Sequence, residues 1–378
     1  MSLRARKPTV DKIPLVTPAI IADCYNSFNM IRVDGSQKSG SGTIVRHAVG
    51  LAALLGEELE LTNIRAKRDK PGLRPQHLAA IQALAELCQG EVEGGRVGAN
   101  RIIFRPKGPI AGGYLQWDIG TAGSTTMMAL TLLPAAGFSS SPLSCRISGG
   151  LFQDFAPSAY HMEHVLLPTL QKMGLCAQLK IVRPGYVPTG GGIIEMQVRP
   201  VEDRLAALEL LEQGRVDKIE GIALSSHLEE RKVSDRMAAE CRRVLRTAGH
   251  SASIRCIYDV TAPQSGAALA LFAYTHSSCI IGADGAGAPR RRSEEIGRRV
   301  ARCLIEDLAI GATVDRFLAD QLIFWAALAR GTSRYRIPLV TEHVETNLWL
   351  VETILGAKTK VGKDLTIEIE GVGHSRKG

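Results

Sequence analysis

The stretch IRVDGSQKSGSGTIVRHAVGLAALLGEELELTNI, residues 31–64, contains the pattern from which the fold is predicted. It opens with a short apolar strand over 31–33, crosses a loop of glycines and serines, and continues as an Ala/Leu-rich helix over 43–55. A second strand follows over 59–64. This order places the loop at a helix N-terminus, where backbone N–H groups lack partners within the helix.

The same order of elements returns further along the chain. A helix over 76–88 and strands over 101–105 and 114–119 complete the series strand, helix, strand, helix, strand, strand. A second copy is predicted from helix 122–133, which stops at Pro134, strand 145–148, helix 158–173, and strands 177–182 and 192–198. We therefore predict an α+β fold of repeated βαβαββ-type units, with helices on one face of each sheet.

Length and a change in sequence character predict the domain organisation. At 378 residues the chain exceeds what one hydrophobic core usually organises. Residues 203–278, with helix, strand, helix, strand, strand around a charged midsection, are predicted to form a small inserted α/β domain. Residues 30–202 and 279–378 are predicted to form the repeat-built domain. Residues 1–29 are an N-terminal extension of unknown role.

Composition limits the class of protein. Hydrophobic residues make up 45% of the chain and charged residues 22%, and no apolar run approaches the ~20 residues that span a bilayer. The eight cysteines form no CxxC pair and no Cys/His cluster with zinc-ligand spacing. Together with the lack of a secretory signal, this predicts a cytoplasmic protein without membrane association.

The formal net charge of +8 favours a polyanionic partner without naming one. Two clusters carry much of it. RAKRDKPGLR, residues 65–74, has five cationic side chains and one aspartate, and RRRSEEIGRRVAR, residues 290–302, has six arginines and two glutamates. Each cluster is either an anion-binding surface or a solvated loop or helix face, and the sequence leaves both interpretations open.

Two loops rich in small residues are candidates for anion binding. DGSQKSGSG, residues 34–42, precedes the first helix, and DIGTAGSTT, residues 118–126, precedes its equivalent in the second unit. The first loop matches neither the Walker nor the dinucleotide pattern, so an ordinary flexible loop is its alternative. Simple N-capping is the alternative for the second loop. Their equivalent positions, beside a cluster of arginines, favour an anion site between repeats.

A histidine lies near the C-terminus, where an extended segment gives way to a helix in RIPLVTEHVETNLWLVETIL, residues 336–355. This residue, His343, stands between Glu342 and Glu345 among its near neighbours. A single histidine beside an apolar segment is more often structural than catalytic. The pattern by itself therefore gives His343 no chemical role.

Taken together, the motifs resemble those of the RNA 3'-terminal phosphate cyclase family. The resemblance runs from about Met30 to residue 370 and is carried by DGSQ…SG, NIRAKRDKPGLRPQHLAAI, VEGGRVGANRIIFRP, DIGTAGSTTMMALTLLPA, YVPTGGG, FLADQLIF and TEHVETNLWLVE. It implies repeated α+β units like those of the enolpyruvyl transferases, with a small inserted α/β domain. It also implies a reaction in which a histidine takes AMP from ATP, AMP passes to an RNA 3'-phosphate, and the 2'-OH closes a 2',3'-cyclic phosphate.

The resemblance assigns roles to individual residues. His343 matches the histidine that accepts AMP, a role that suits an imidazole neutral near physiological pH. Nucleotide-binding roles fall on Asp320, Gln321, Phe317, Gly123 and Ser124, with Phe317 stacking on adenine. Phosphate- and RNA-binding roles fall on Arg46, Arg65, Arg68 and Gln76. The implied cofactors are ATP and a divalent metal, Mg²⁺ or Mn²⁺, and the implied partner is RNA with a 3'-phosphate end.

The chain departs from the family pattern in its first loop. Lys38 and Ser39 stand where the family usually has Gly and Glu, and the family uses that glutamate as a metal ligand. A serine hydroxyl cannot replace a carboxylate for Mg²⁺. We expect either that Asp320 and the ATP phosphates hold the metal, that Lys38 partly substitutes for its charge, or that activity is weak. Three apolar residues also replace expected polar ones: Leu130, Leu151 and Phe152.

Two other functions stay open. A non-catalytic or weakly active cyclase-like protein that binds RNA or assists ribosome assembly fits the changed loop, whereas His343 favours the enzyme because such relatives lack it. A different adenylyl or enolpyruvyl transferase on the same fold is the third interpretation. The sequence leaves the oligomeric state open.

Overall fold

Four sheets of four strands each organise the described part of the chain, residues 30–154 and 156–376, in this computed structural model. The predicted extension, residues 1–29, lies outside the described residues. The first unit comprises β1 (Ile31–Asp34), α1 (Gly42–Leu55), β2 (Leu59–Thr62), α2 (Pro75–Leu87), β3 (Glu91–Glu93) and β4 (Ile102–Arg105). Its strand order is β1-β2-β4-β3.

The second unit repeats this arrangement. It comprises β5 (Gly113–Asp118), α3 (Thr125–Gly137), β6 (Leu143–Gly149), α4 (159–172, with a π-helical middle over Met162–Leu166), β7 (Cys176–Arg183) and β8 (Gly192–Arg199). Its strand order, β5-β6-β8-β7, is equivalent to that of the first unit. In both units the first two strands are parallel and the other pairs antiparallel.

The third unit begins with the two-residue strand β9 (Glu209–Leu210), after which another sheet is inserted. The inserted elements are β10 (Val216–Ser226), α5 (Val233–Thr247), β11 (Ser253–Asp259), β12 (Gly266–Thr275), β13 (Ile280–Ala286) and α6 (Ser293–Ala309). The third unit then resumes with α7 (Leu318–Leu328), β14 (Arg330–Arg336), α8 (Glu342–Leu355), β15 (Lys358–Val361) and β16 (Thr366–Val372). Its strand order, β9-β14-β16-β15, completes the third repeat. The α+β fold of repeated units with a small insertion is therefore confirmed.

The inserted unit begins and ends later than the 203–278 predicted from the sequence. β13 pairs with β12, and α6 packs against α5, so the inserted elements extend to Ala309. β9 pairs instead with β14 in the third repeat, and the helix predicted at the start of this range does not form. Leu208 and Leu210 are buried on either side of an exposed Glu209. This strand pairing overrides the helical preference of a segment rich in Leu, Ala and Glu.

Two boundaries inside the repeats also differ from the prediction. The strand predicted over 114–119 opens the second unit as β5, and the first unit uses β3, a Glu-Val-Glu segment with only one apolar residue. Helix α3 does not stop at Pro134 but continues to Gly137. The residues around this proline, Leu132, Leu133, Ala135 and Ala136, are all buried, and their packing offsets the backbone hydrogen bond that proline cannot make.

The helices of the three repeats pack together at the centre of the repeat-built part. α1 contacts α2, α3 and α8, and α7 contacts α8. Each of three helices that begin at this centre has a hydroxyl N-cap: Ser41 accepts from Thr43 N, Ser124 from Met127 N, and Thr341 from Val344 N. The three repeats thus bring three capped helix N-termini together. None of the described helices is both long and apolar enough to cross a membrane.

A buried ion pair joins the second repeat, the inserted sheet and α7. His161 Nε2 lies 3.0 Å from Asp315 Oδ1, and both side chains are almost fully buried. Asp315 also accepts hydrogen bonds from the backbone N–H groups of Gly282 in β13 and of Phe317 and Leu318 at the start of α7. Burial disfavours the imidazolium, but the carboxylate outweighs it and raises the pKa of His161. The pair therefore holds the start of α7 against two other parts of the molecule.

Removing the histidine from this pair should destabilise the protein. We expect His161→Leu to lower the free energy of unfolding by about 3 kcal/mol, because the Asp315 carboxylate is left buried without its partner. The same change at the exposed His276 is the matched control and should cost less than about 0.5 kcal/mol. Urea unfolding followed by circular dichroism measures both. Equal losses for the two variants would contradict a special role for the buried pair.

Candidate active site

A cavity of about 640 Å³ is lined by residues of all three repeats. Nine of the ten site residues predicted from the sequence contribute to its wall: Arg46, Arg65, Arg68, Gln76, Ser124, Phe317, Asp320, Gln321 and His343. The tenth, Gly123, is not part of the wall. A side chain at this glycine would meet Ile119 and Gln76, so Gly123 allows Gln76 to pack closely behind the cavity.

His343 is the second residue of α8, and its ring faces the start of α1. Its Nδ1 lies 3.1 Å from Thr43 Oγ1, which in turn accepts a hydrogen bond from Arg46 Nη2 at 3.4 Å. Within the described chain its Nε2 makes no hydrogen bond. Burial, together with the charges of Arg46 and Arg68, lowers the pKa of His343. The imidazole is therefore neutral at pH 7, and Nε2 is the ring nitrogen free to react.

Arg46 is the most buried cation of the cavity wall. Its Nε has no hydrogen-bond partner among the described residues. Burial lowers the pKa of its guanidinium to about 10, with Asp320 opposing the shift, so the group stays charged at neutral pH. An unpartnered charged donor inside a protein is costly unless a ligand satisfies it. Arg46 therefore points to an anionic ligand in the cavity.

Two further arginines border the cavity from the loop after β2. Arg65 has a left-handed backbone conformation, with φ of 55°, and its Nη1 donates to the carbonyl oxygens of Lys70 and Gly72 at 2.6 and 2.8 Å. These contacts fix its guanidinium. Arg68 is exposed and lines the cavity without an ion-pair partner in the described chain. With Arg46 they form a cationic wall suited to phosphate groups.

The opposite wall carries acceptors from α7 and α8. Burial raises the pKa of the half-buried Asp320 carboxyl to about 7, although Arg46 opposes the shift. Gln321 Oε1 and Asn347 Oδ1 are buried without hydrogen-bond partners in the described chain. Asn347 donates through Nδ2 to the Asp320 carbonyl at 2.9 Å. The sequence interpretation missed Asn347, although its position four residues after His343 puts both on one helix face.

Two histidines that the sequence did not single out also line the cavity. His47 stacks on Phe324 with ring centroids 3.8 Å apart, and burial lowers its pKa. His77 accepts a hydrogen bond from Arg74 N at Nδ1, and burial lowers its pKa to about 2. A Cβ on Gly42 would lie 2.2 Å from His77 Nε2, so glycine is needed there. Both rings are uncharged wall residues, and their position depends on tertiary packing.

The first small-residue loop, 34–42, is fixed by its own side chains. Asp34 accepts hydrogen bonds from Ser36 and Asn63. Ser39 donates through its backbone N–H to Thr346 Oγ1, and its hydroxyl lies 3.0 Å from that of Ser41. Ser39 therefore helps to connect α1 and α8 and contributes no carboxylate to the site.

The second loop, 118–126, also uses its hydroxyls structurally. Ser124 caps α3, and its backbone N–H donates to Gln76 Oε1 at 3.2 Å. Of the apolar departures, Leu130 lines the cavity, whereas Leu151 and Phe152 belong to the core, where Phe152 contacts Tyr160 and Tyr186. The polar side chains expected at the last two positions are thus replaced by packing.

The described residues contain no cluster of three or more His, Cys, Asp or Glu side chains that could hold a metal ion. Of the carboxylates in the cavity wall, Asp154 is paired with Arg291 and Arg299, whereas Asp320 makes no ion pair in the described chain. Mg²⁺ is often held by one or two carboxylates and the phosphates of a substrate. Asp320 is the carboxylate of the described cavity wall that is free of an ion pair and so available for that mode.

Most of this chain is similar in sequence to known proteins of one family. The family model described as RNA 3'-terminal phosphate cyclase matches residues 37–361. Proteins named RNA 3'-terminal phosphate cyclase from Pyrobaculum neutrophilum and Korarchaeum cryptofilum are each 36% identical over 91% of this chain, and cover 99% and 98% of their own lengths. One from Methanococcoides burtonii is 37% identical over 88% of this chain and 97% of its own. The chain therefore belongs to the RNA 3'-terminal phosphate cyclase family.

Proposed function

We propose that this chain is an ATP-dependent enzyme that converts an RNA 3'-terminal phosphate to a 2',3'-cyclic phosphate. The observation that supports this most directly is the position of His343, whose neutral ring shares a cavity with the buried Arg46. An accessible nucleophilic nitrogen beside a cation that has no ion pair in the described chain suits attack on a phosphate. A cytoplasmic location, where RNA and ATP occur together, is part of the proposal.

In the first step the Nε2 lone pair of His343 attacks the α-phosphorus of ATP. A P–N bond forms, the bond from that phosphorus to the bridging oxygen breaks, and pyrophosphate leaves. For this step Nδ1 carries the ring proton and donates a hydrogen bond to Thr43 Oγ1, which leaves the Nε2 lone pair free. Arg46, Arg65 and Arg68 contact phosphate oxygens. Asp320 would hold a divalent ion, Mg²⁺ or Mn²⁺, which offsets charge on the phosphates.

The next two steps use the RNA end. An oxygen of the 3'-phosphate attacks the AMP phosphorus, a P–O bond forms, and the P–N bond breaks to release His343. The neighbouring 2'-OH then attacks the 3'-phosphorus, loses its proton, and expels AMP. Phe317 and the apolar wall of Phe324 and Trp325 suit a base, while Gln321 and Asn347 offer acceptors to its amino group.

A direct assay tests the proposed function. RNA with a labelled 3'-phosphate, incubated with the protein, ATP and Mg²⁺ or Mn²⁺, should acquire a terminus that phosphatase cannot remove. Omission of ATP should prevent the change, and a DNA 3'-phosphate should not cyclise because it lacks the 2'-OH. Phosphatase-sensitive ends after incubation with both metals would contradict the proposal.

The second candidate is a non-catalytic or weakly active protein that binds RNA or assists ribosome assembly. One observation favours it: Ser39, bonded to Ser41 and Thr346, offers no carboxylate in the first loop. Binding of RNA that does not depend on a 3'-phosphate, together with no AMP transfer, would support this candidate. A preference for the 3'-phosphate end would favour the enzyme.

Thr43 gives a prediction about the orientation of His343. Thr43→Val keeps the shape of the side chain but removes the contact to Nδ1. We expect AMP transfer to the protein to slow about tenfold, which corresponds to the loss of about one hydrogen bond. Thr247→Val on α5 removes a comparable hydroxyl, bonded to Arg243 O, far along the chain from the cavity, and is the control. Single-turnover labelling measures both, and equal rates for the two variants would contradict the role of Thr43.

A further inference from the structure

The structure separates the two basic clusters that the sequence left equivalent. In the cluster over 290–302, Arg291 and Arg299 form ion pairs with Asp154, and Arg298 pairs with Glu240. Three of its six arginines thus have carboxylate partners within the protein. The other cluster, over 65–74, has no ion pair in the described chain. The two clusters therefore differ in the charge they offer to a partner.

The loop over 64–74 is joined to the loop over 94–100 by a set of backbone hydrogen bonds. These run from Ile64 N to Asn100 O, from Leu73 N to Ala99 O and from Gly98 N to Leu73 O, at 2.8 to 3.0 Å. A Cβ on Gly72 would lie 2.3 Å from Gly98 O, so the two loops are in close contact. We call this joined surface the basic ledge.

Four exposed cations lie on the basic ledge: Lys67, Arg68, Lys70 and Arg96. None of them forms an ion pair in the described chain. The ledge continues directly from the cavity, because Arg68 lines the cavity wall and Lys67 Nζ donates to the Lys38 carbonyl of the first loop. Arg65 also connects the ledge with the cavity, because it lines the cavity wall and its guanidinium is bonded to the carbonyls of Lys70 and Gly72.

We propose that the basic ledge binds the ribose-phosphate backbone of the RNA nucleotides that precede the reacting 3'-phosphate. The inference rests on the proposed function, which places the RNA end in the cavity, so the strand must leave across its rim. Lysines and arginines without ion pairs inside the protein are suited to contact successive phosphates. The two loops contain no aromatic residue on which a base could stack. Binding there should thus depend on strand length and salt but little on sequence.

The test compares two double variants that remove equal charge. Lys70→Ala/Arg96→Ala changes the ledge, and Arg292→Ala/Arg302→Ala removes two exposed arginines without ion pairs from the other cluster. Fluorescence anisotropy measures the Kd of a 12-nucleotide RNA with a 3'-phosphate. Near 0.1 M salt each lost phosphate contact should weaken binding about fivefold, so the ledge variant should lose roughly 25-fold, with a salt slope smaller by about 1.4. The control variant should change less than about threefold.

Two further measurements separate this inference from the proposed function. AMP transfer to the protein, and cyclisation of a 3'-phosphorylated dinucleotide too short to extend from the cavity to Lys70 and Arg96, should be the same in the ledge variant and the unmodified protein. Equal Kd values for the ledge and control variants, in a protein that still cyclises the dinucleotide, would overturn the inference about the ledge and leave the proposed function standing. If the ledge substitutions reduced cyclisation of the dinucleotide as much as cyclisation of the 12-nucleotide RNA, the inference about the ledge would also be overturned.

Discussion

His343→Ala is expected to leave no AMP on the protein after incubation with ATP labelled in its α-phosphate. RNA cyclisation should fall by on the order of 10⁴-fold or more, because the variant lacks the atom that forms the covalent bond. His343 is half-buried beside Thr43 and Arg46. The other two histidines of the cavity wall do not have the same access to a bound ligand. His47 is stacked on Phe324, and His77 is buried against Gly42.

The chemical stability of the label identifies the bond between AMP and the protein. A phosphoramidate on histidine is stable to alkali and cleaved by acid, so the label should show that behaviour. His276→Ala, on the exposed surface, should retain full labelling and controls for the general effect of losing a histidine. Labelling that persists in His343→Ala would assign the reaction to another residue. Unlabelled but correctly folded protein without any substitution would contradict the enzyme assignment.

The fold was predictable from the sequence where secondary structure is carried by local signals. Helices α1 and α8 have hydroxyl N-caps, Ser41 and Thr341, and end at glycines in the left-handed region, so both ends are marked in the sequence. Strands β3 and β9 were missed because each has only two or three residues and becomes a strand only through its partner, which is the next strand, β4, for β3 and the distant β14 for β9. The bounds of the inserted unit were displaced for the same reason.

The site was predictable only in part. His343 and Asp320 lie in two of the motifs that, taken in order, carry the family resemblance, and both line the cavity. His47 was not identified because its position against Phe324 depends on the packing of α1 with the third repeat, which no local pattern records. The sequence also could not show which residues of the two basic clusters form ion pairs. Whether Arg299 meets Asp154 is decided by contacts between residues that are far apart in the sequence.

Arg46 should contribute both to the rate of AMP transfer and to the protonation of His343. We expect Arg46→Leu to slow AMP transfer by about 10² to 10³-fold, the range found when one hydrogen-bond donor to a developing oxyanion is removed from an active site. Arg46→Lys keeps the charge but loses the geometry of the guanidinium, so its rate of AMP transfer should lie between those of Arg46→Leu and the unmodified protein. Single-turnover labelling with ATP measures all three.

The second effect of Arg46 is a pKa change with a defined sign. Burial is the main cause that lowers the pKa of His343, and the positive charge of Arg46 is the next. Removing that charge stabilises the imidazolium, so the pKa of His343 should rise towards its ordinary value in Arg46→Leu and stay low in Arg46→Lys. NMR titration of the His343 ring without ATP measures this directly. A His343 pKa that is unchanged in Arg46→Leu, with the rate still reduced, would limit Arg46 to phosphate binding. A rise in both variants would instead show that the substitutions open the cavity to water, because loss of burial raises the pKa whatever the charge at position 46.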